Sequence, residues 1–576
     1  MKRFFLIPVL SLMLLSQGWA QPFTRLNTTL VQVSRGAVVF ADFDNDNDLD
    51  LFIAGQNSSY EPVAKLYLNQ EGIFTEAECG IEGMYNCAAA VADYDGDGFM
   101  DIVITGEHFN GMATRLYRNT GNGQFEPVDA GFFAAGADGD LAWADYNNDG
   151  YPDLLISGSW QTKLYKNNGN GTFSHIETGL PGMNSPSVSW GDFNNDGFPD
   201  LLLAGDAGSV ADAFVYINNR GNFSLLDQQF EGAVGGAARW GDFDNDGLPD
   251  ILISGKDFYL TPVAYVYRNN GDNTFSFINA GLTGTALGPA DWIDFNNDGS
   301  LDIMLAGQNS GCGNVATRLY RNNGNGTFTE LPAGLAYAEK AASAWGDFDN
   351  DGDYDLVLTG LSGNNITHLY RNDLLSGNFQ PNTPPSVPEG FYTYVSDDYA
   401  LISWEPATDA QSPATSLTYN IMVGTEPGGV DVISPMASPE TGRRYVPEAG
   451  NCGLGNFTEL RNLQPGTYYY RVQAIDQAYA GSEFSEEGSF TILATAAKSA
   501  GHAQLRYRTE NDVLYVSTAG AGTGSYAIYD LQGRRATSGT SEGSELKISL
   551  KGLSPGFYLL QLNGNGRHEV LKFFRP

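Results

Sequence analysis

Short apolar runs alternate with glycine- and asparagine-rich turns along most of this chain. Ile251-Leu252-Ile253-Ser254-Gly255 is one such run, entered from Ala237 to Trp240 through an acidic turn. A variable loop then leads to a Leu-Tyr-Arg-Asn run, seen at Leu319 to Asn322. The turn Asn323-Gly324-Asn325-Gly326 follows, and a last run opens with Thr327-Phe328. Runs this short, rich in β-branched and aromatic residues and bounded by Gly/Asn turns, predict strands and hairpins. Seventy glycines without a collagen-like period fit many turns better than long helices.

The pattern repeats. Its most regular part is the acidic turn, whose first aspartates are Asp42, Asp93, Asp145, Asp192, Asp242, Asp294 and Asp347. The intervals are 51, 52, 47, 50, 52 and 53 residues. Four short strands per period of about 50 residues predict blades of a β-propeller, and seven turns predict seven blades. The first repeat is preceded by a strand-like Phe23-Thr24-Arg25-Leu26, and the seventh ends soon after Leu369 to Asn372. The N-terminal strand is therefore expected to complete the last blade, with Gly377-Asn378-Phe379 as the other source. The expected propeller spans 21–380, and the fold class is all-β.

In each turn, oxygen-bearing side chains occupy positions 1, 3, 5 and 9, usually with glycine at position 6. Repeat one offers Asp42, Asp44, Asp46 and Asp50, and repeat two Asp93, Asp95, Asp97 and Asp101. Repeats three and four carry Asp145, Asn147, Asp149 and Asp153, then Asp192, Asn194, Asp196 and Asp200. Repeat five has Asp242, Asp244, Asp246 and Asp250, and repeat six Asp294, Asn296, Asp298 and Asp302. Repeat seven has Asp347, Asp349, Asp351 and Asp355. The carbonyl at position 7 can add a ligand; the residues there are Asp48, Phe99, Tyr151, Phe198, Leu248, Ser300 and Asp353. Hard oxygens at alternating positions of a tight turn suit Ca²⁺, about one per blade, ahead of Mg²⁺ with its stricter octahedron. Softer metals would ask for His or Cys, which these turns lack.

Charge agrees. The chain carries 68 acidic against 31 basic residues, a net charge of −37. Such a surface repels phosphate backbones and anionic lipid, so nucleic acid and membrane-surface partners are excluded. With 42% hydrophobic and 12% aromatic residues the chain can bury cores, so the acidity reads as bound cations rather than disorder.

These turns resemble the calcium-binding FG-GAP or VCBS-type repeats of integrin α-subunit propellers and many bacterial surface proteins. The resemblance covers about 23 to 380. It implies an ion in the hairpin between the first two strands of each blade, with a structural role. In blade five it makes Asp242, Asp244, Asp246 and Asp250 the side-chain ligands, with the Leu248 carbonyl. Trp143, Trp190, Trp240, Trp292 and Trp345 stand two residues before their turns, with Phe40 and Val91 in the same slot of the first two repeats. A slot that repeats with the fold is expected to pack between blades.

The flanks carry other signals. Lys2-Arg3, the apolar Phe4 to Leu15 and Gly18-Trp19-Ala20 read as a secretory signal over 1–20, with no later stretch long enough to span a membrane. Pro381 to Pro388 reads as a stiff linker. Over 389–493, Leu463 to Tyr470 resembles the tyrosine-corner segment of fibronectin type III domains, with Trp404 as the core tryptophan, though Glu426 to Asn456 departs from that pattern. From 500 to 576, Tyr529 to Arg534, Leu553 to Tyr558 and Val570 to Phe574 resemble the C-terminal sorting domain of the type IX secretion pathway. That implies the type IX machinery as a partner and a secreted or outer-membrane surface protein. Cys79 and Cys87 are close enough to staple one loop, and Cys312 and Cys452 fall in different units; their pairing is left open.

No GxSxG elbow, HExxH helix or phosphate loop occurs, and His108, His175, His368, His502 and His568 are scattered. The expectation is a calcium-stabilised binding or adhesion protein for a glycan or an extracellular protein, more a binder than an enzyme. Variable loops opposite the acidic turns present Tyr60, Phe109, Trp160 and Tyr259 as candidate contacts. The alternative is a polysaccharide lyase or hydrolase acting at the central channel, with Asp129, Asp138, Asp140 and Arg239 to be tested. A third reading is a passive scaffold.

Overall fold

The computed structural model describes residues 23–575 except 122, 311–313, 375–381, 397, 494–505, 511–512, 518–523, 531–534, 542–544, 552, 554–555 and 565–566. The signal segment, Cys312, Gly377 to Phe379 and parts of the C-terminal signals lie outside these residues. Among the described residues the structure is all-β, without a helix, and it holds many small antiparallel sheets. None of it offers a helix long and apolar enough to cross a membrane.

The repeats form the propeller. Repeat two is a four-stranded meander of Tyr85–Ala92, Asp101–His108, Gly111–Asn119 and Phe125–Val128, and repeats three to six each form a sheet of the same order. Repeats one and seven share one eight-stranded sheet, joined at the bridge Val33↔Ile366. The fourth strand of repeat seven is the N-terminal Phe23–Arg25, paired Phe23↔Asn372, Thr24↔Arg371 and Arg25↔Tyr370. The expected closing strand is therefore in place.

Within each repeat the second strand is buried along its length, as in Asp50–Asn57 and Asp250–Lys256, because sheets cover both its faces. That explains an unbroken apolar run where an exposed strand would alternate. Cores form between neighbouring repeats. Phe193, Leu202 and Val215 of repeat four pack with Ile251, Tyr267 and Phe275 of repeat five, and Val33, Phe40 and Leu51 of repeat one pack with Phe348, Val357 and Leu369 of repeat seven. The tryptophan slot lies in these seams: Trp240 stacks on Phe193 at 5.7 Å and Trp292 on Phe243 at 5.8 Å.

Beyond residue 388, two three-stranded sheets enclose a common core around Trp404, Tyr419, Tyr468 and Phe490. One comprises Glu389–Ser396, Tyr399–Glu405 and Phe457–Leu460; the other Thr418–Gly424, Gly466–Ile475 and Gly488–Ile492. The Tyr468 hydroxyl donates to the Gln464 carbonyl at 2.8 Å, fixing the corner before its strand. A last unit of three- and four-stranded sheets runs from Arg506 to Arg575, with Leu514, Val516, Ile528 and Leu560 in its core.

Cys79 and Cys87 remain separate thiols, as does Cys452. Both loop cysteines pack into the apolar seam of repeats one and two, where burial pushes the Cys87 thiol up to about 12.

Candidate metal centres and the two faces of the propeller

All seven acidic turns share two bonds, from the position-6 amide to the position-1 carboxylate and from the position-7 amide to the position-5 carboxylate. The position-1 aspartate folds the turn around itself: Asp242 Oδ2 accepts from Gly247 N at 2.7 Å and Oδ1 from Asp246 N at 3.0 Å. The position-5 carboxylate accepts from the position-7 amide, as Asp246 does from Leu248 at 3.0 Å. The position-9 carboxylate spans the sheet: Asp250 Oδ1 takes Asn269 N at 2.7 Å, a bond made in every repeat, and its Oδ2 takes Phe243 N at 3.0 Å, a bond shared by repeats one, two and seven. In repeat one, where Asn47 stands for glycine, the same amide still donates to Asp42 Oδ2 at 3.0 Å. Asn47 manages this at φ 70°, a left-handed conformation that asparagine tolerates better than most side chains.

After these bonds, carboxylate oxygens are left over. Asp44 Oδ1, Asp93 Oδ1, Asp153 Oδ2, Asp200 Oδ2, Asp244 Oδ1 and Asp349 Oδ1 are buried with no hydrogen-bond partner. They fall in repeats one, two, three, four, five and seven. In repeat six the corresponding Asp302 Oδ2 accepts from Asn296 Nδ2 at 2.7 Å. Each orphaned buried oxygen costs about 1–3 kcal/mol. In five turns, three carboxylates place one oxygen each within 4.8 Å of the others: Asp42/Asp44/Asp50, Asp93/Asp95/Asp101, Asp145/Asp149/Asp153, Asp242/Asp244/Asp246 and Asp347/Asp349/Asp351. At that spacing two charges repel by about 3 kcal/mol at an effective dielectric of about 20.

The carboxylates respond as desolvated neighbours must. Burial first, then mutual repulsion, raises Asp50 to about 8 and Asp101, Asp153 and Asp302 to about 9. Some relief comes from the third strand, where Arg268 bonds Asp244 at 2.6 Å and Lys166 bonds Asp149 at 2.9 Å. Oxygen-only donors, orphaned and mutually repelling, fit a divalent cation. The structure groups Asp48 differently: its Oδ1 accepts from Asn350 and its Oδ2 from Glu71 N, so only its carbonyl would face an ion.

A second ring of contacts had no signal in the chemistry of the turn. Position 4 is asparagine in six repeats, in left-handed conformation, and its amide reaches the next turn. Asn148 Nδ2 donates to Gly197 O at 2.8 Å, Asn195 to Gly247 O at 2.9 Å, Asn245 to Gly299 O at 2.7 Å and Asn297 to Gly352 O at 2.8 Å. Asn45 reaches Gly98 O at 3.1 Å, and Asn350 reaches Asp48 Oδ1 at 2.9 Å. Only repeat two, with Gly96, lacks the link.

The turn face is covered by the two-sheet unit. Asp93 N donates to Tyr445 O at 2.8 Å, Asn148 Nδ2 to Val432 O at 2.7 Å, and Asp347 N to Gln477 O at 3.1 Å. Arg461 N donates to Asn195 O at 2.9 Å, and Gln477 Nε2 to Asn297 Oδ1 at 2.8 Å. Arg443 bonds Asn45 and lies over Phe99. At the centre, the Tyr479 hydroxyl donates to Trp345 O at 2.8 Å, while Glu448 comes within electrostatic reach of Arg239 on an inner strand. The irregular Glu426 to Asn456 stretch thus supplies much of the docking surface. It leaves a cavity of about 320 Å³ beside the first turn, lined by Asp42, Asn45, Arg443 and Tyr479.

Among the described residues, no other unit covers the opposite face. Tyr60 (79% exposed), Phe109 (78%), Trp160 (53%) and Tyr259 (82%) stand on the hairpins between second and third strands, with Phe258, Leu260 and Met112 also exposed. Side-chain caps hold two of these tips. Asn57 Oδ1 accepts from Ser59 N and Glu61 N, and Asp257 Oδ1 accepts from Tyr259 N and Thr261 N, all at 2.8–2.9 Å. Of the residues named for channel chemistry, Asp140 accepts from Leu141 N and Val188 N, and Arg239 bonds Ser187 and Ala238 O. Asp129 joins no such group. His368 is buried against Tyr370.

A family profile described as FG-GAP-like repeat matches five segments, 42–104, 93–156, 145–203, 192–253 and 294–358, which together include all seven acidic turns. The chain thus carries FG-GAP-like repeats in a repeat β-propeller. No curated protein matches it. Among solved structures it is similar to an Agrocybe aegerita lectin recognising non-reducing terminal N-acetylglucosamine, at 20% identity and TM-score 0.36, covering 52% of this chain and 79% of the lectin. It is also similar to the Aleuria aurantia lectin solved with α-methyl-L-fucoside, at 11% identity and TM-score 0.32 over 53% and 98% of the two chains. The extracellular domain of a one-component system of B. thetaiotaomicron aligns at 11% identity and TM-score 0.24 over 93% and 86%. Superpositions this loose carry no functional assignment.

Proposed function

We propose that this protein is an exported, calcium-stabilised seven-bladed propeller that binds a glycan or an extracellular protein through the face opposite its acidic turns. The observation that carries the reading is the contrast between the faces: one is covered by the chain's own two-sheet unit, the other displays large aromatic side chains on braced tips. Exposed aromatics around a rigid scaffold suit sugar stacking or protein contact.

Seven blades are supported by the bond pattern that passes from repeat to repeat and returns from the seventh to the first, Asn350 to Asp48. Calcium is supported by the orphaned carboxylate oxygens and the hard donor set. Asp42, Asp44 and Asp50, with their equivalents in the other turns, would hold it, and its role would be to neutralise and stiffen the turn. The two-sheet unit is a fibronectin type III-like spacer, supported by the Tyr468 corner and buried Trp404. The C-terminal unit is a type IX sorting domain, and the first 20 residues its export signal.

The test is incubation of the protein, in millimolar calcium, with labelled polysaccharides and with cell-surface proteins. Intact ligand should co-elute with the protein, and Trp160→Ala and Tyr259→Ala should weaken that at least tenfold without moving Tm. Shortened polysaccharide would make the protein an enzyme. Binding that ignores both substitutions would move the site away from this face.

A further inference from the structure

Seven residues before each turn's first aspartate, the chain takes a left-handed conformation in every repeat. The residues are Arg35, Asn86, Asp138, Ser185, Gly235, Leu287 and Lys340, with φ between 44° and 64°. In repeats one, two, four and seven this is where the inner strand's register slips. Such a bulge re-aims a side chain away from the sheet. The seven positions lie at the end of the inner strands remote from the acidic turns, around the channel mouth. Neighbours touch through the backbone: Asp138 N donates to Asn86 O at 3.0 Å, Leu287 N to Gly235 O at 2.6 Å and Ala341 N to Leu287 O at 3.3 Å.

The conformation belongs to the fold, since glycine and leucine adopt it too; the choice of side chain does not. Going round the ring, repeats seven, one, two, three and four present Lys340, Arg35, Asn86, Asp138 and Ser185, a contiguous polar arc. Repeats five and six present Gly235 and Leu287. A purely structural role would have no reason to be one-sided. Asn86 Nδ2 donates to Glu107 Oε1 at 2.8 Å and its Oδ1 accepts from Arg35 Nη1 at 3.5 Å, and Asp138 is within electrostatic reach of Arg35, Glu107 and Lys340. Among the described residues, neither Arg35 nor Lys340 makes an ion pair. Two cations within reach of one carboxylate, neither in an ion pair, are notable on a chain of net charge −37.

We infer that this arc binds a terminal acidic sugar, its carboxylate held between Arg35 and Lys340 and its hydroxyls by Asn86, Asp138, Glu107 and Ser185. Arginine suits a carboxylate by its planar fork, and carboxylate and amide acceptors suit sugar hydroxyls. A terminal unit is favoured because the far face is covered: Tyr479 bonds the Trp345 carbonyl there and Glu448 comes within electrostatic reach of Arg239 on an inner strand. A densely charged polyanion would be repelled by the chain as a whole. This deepens the binding reading given above and rests on it.

The test compares a neutral oligosaccharide capped by glucuronate with the same oligosaccharide capped by glucose, titrated into the full calcium-loaded protein. Arg35→Asn and Lys340→Asn are the variants, since asparagine already occupies this position in repeat two; thermal melts confirm folding. The acid-capped form should bind at least tenfold tighter, and each variant should erase that preference while leaving the glucose-capped form unchanged. Equal binding of both caps, or a preference that survives both variants, overturns the acidic-sugar site and leaves glycan binding standing. Failure of both glycans to bind, with capture of a protein partner instead, overturns the site and the glycan half of the reading together.

Discussion

Asn69 Nδ2 donates to the Phe348 carbonyl at 2.7 Å, across 279 residues of chain. The same bond recurs between neighbours: Asn119 to Phe43, Asn167 to Tyr94, Asn218 to Tyr146, Asn269 to Phe193, Asn322 to Phe243 and Asn372 to Phe295, at 2.7–2.8 Å. Asn69 is the member that runs from the first repeat to the last. It is 1% exposed and also donates to Leu49 O. Asn69→Ala would orphan two buried carbonyls and should destabilise the propeller by about 2–4 kcal/mol. Thermal melts beside Asn323→Ala, an exposed turn asparagine, check this. Equal effects from both would deny the ring bond its role.

Ion removal should change the sign of the pH response. Without ions, Asp50, Asp101, Asp153 and Asp302 are pushed up to about 8–9, above their unfolded value of 3.8. Such groups hold protons in the folded state that the unfolded chain has released. Their stabilisation is full at low pH and is lost as pH rises towards 9, by about 1–2 kcal/mol each between pH 7.5 and 9. The chelated protein should therefore melt progressively lower from pH 7.5 to 9, a window in which His368, lowered to about 4 from 6.5, is largely neutral in both states. The calcium-loaded protein should hold or gain, because the ion binds ionised carboxylates. Parallel curves with and without chelator would remove the ion from the account.

Ion affinity should follow the carboxylate count. Turns one, two, five and seven carry four or more aspartates, whereas three, four and six carry three and use asparagine at position 3. Turn six starts weakest of these three, since Asn296 occupies the Asp302 oxygen that is orphaned in turns three and four. Native mass spectrometry during calcium depletion should show a first group of three ions leaving. Asn296→Asp should reduce that group by one.

Seating of the two-sheet unit should depend on Tyr479, which is left-handed at φ 61° and bonds Trp345 O. Tyr479→Ala removes that bond and a half-buried ring, an effect of about 2–4 kcal/mol by analogy with other aromatic truncations. Small-angle scattering should report a larger radius of gyration, and chelation should add to it because six of the seven turns contact the unit. An unchanged radius in the variant would place the anchor elsewhere.

The sequence by itself determined what is local and periodic. Strand, turn and acidic wiring are written within about ten residues and then repeated, so the period, the buried tryptophan slot and the carboxylate clusters were all legible. The exposed tips followed too, as loops of variable sequence between fixed strands. What only the tertiary structure decided involves partners hundreds of residues apart, or partners with no side-chain identity. The Asn69 and Asn148 amides bond backbone carbonyls, which leave no mark in a sequence. The left-handed ring at Arg35 to Lys340 is occupied by seven different residue types, so the repeat that fixes its backbone hides it from a search for recurring residues. The Glu426 to Asn456 stretch read only as an irregularity, because its meaning lies in the face it covers. Whether repeat seven meets repeat one depends on the accumulated angle between sheets, a quantity no single turn encodes.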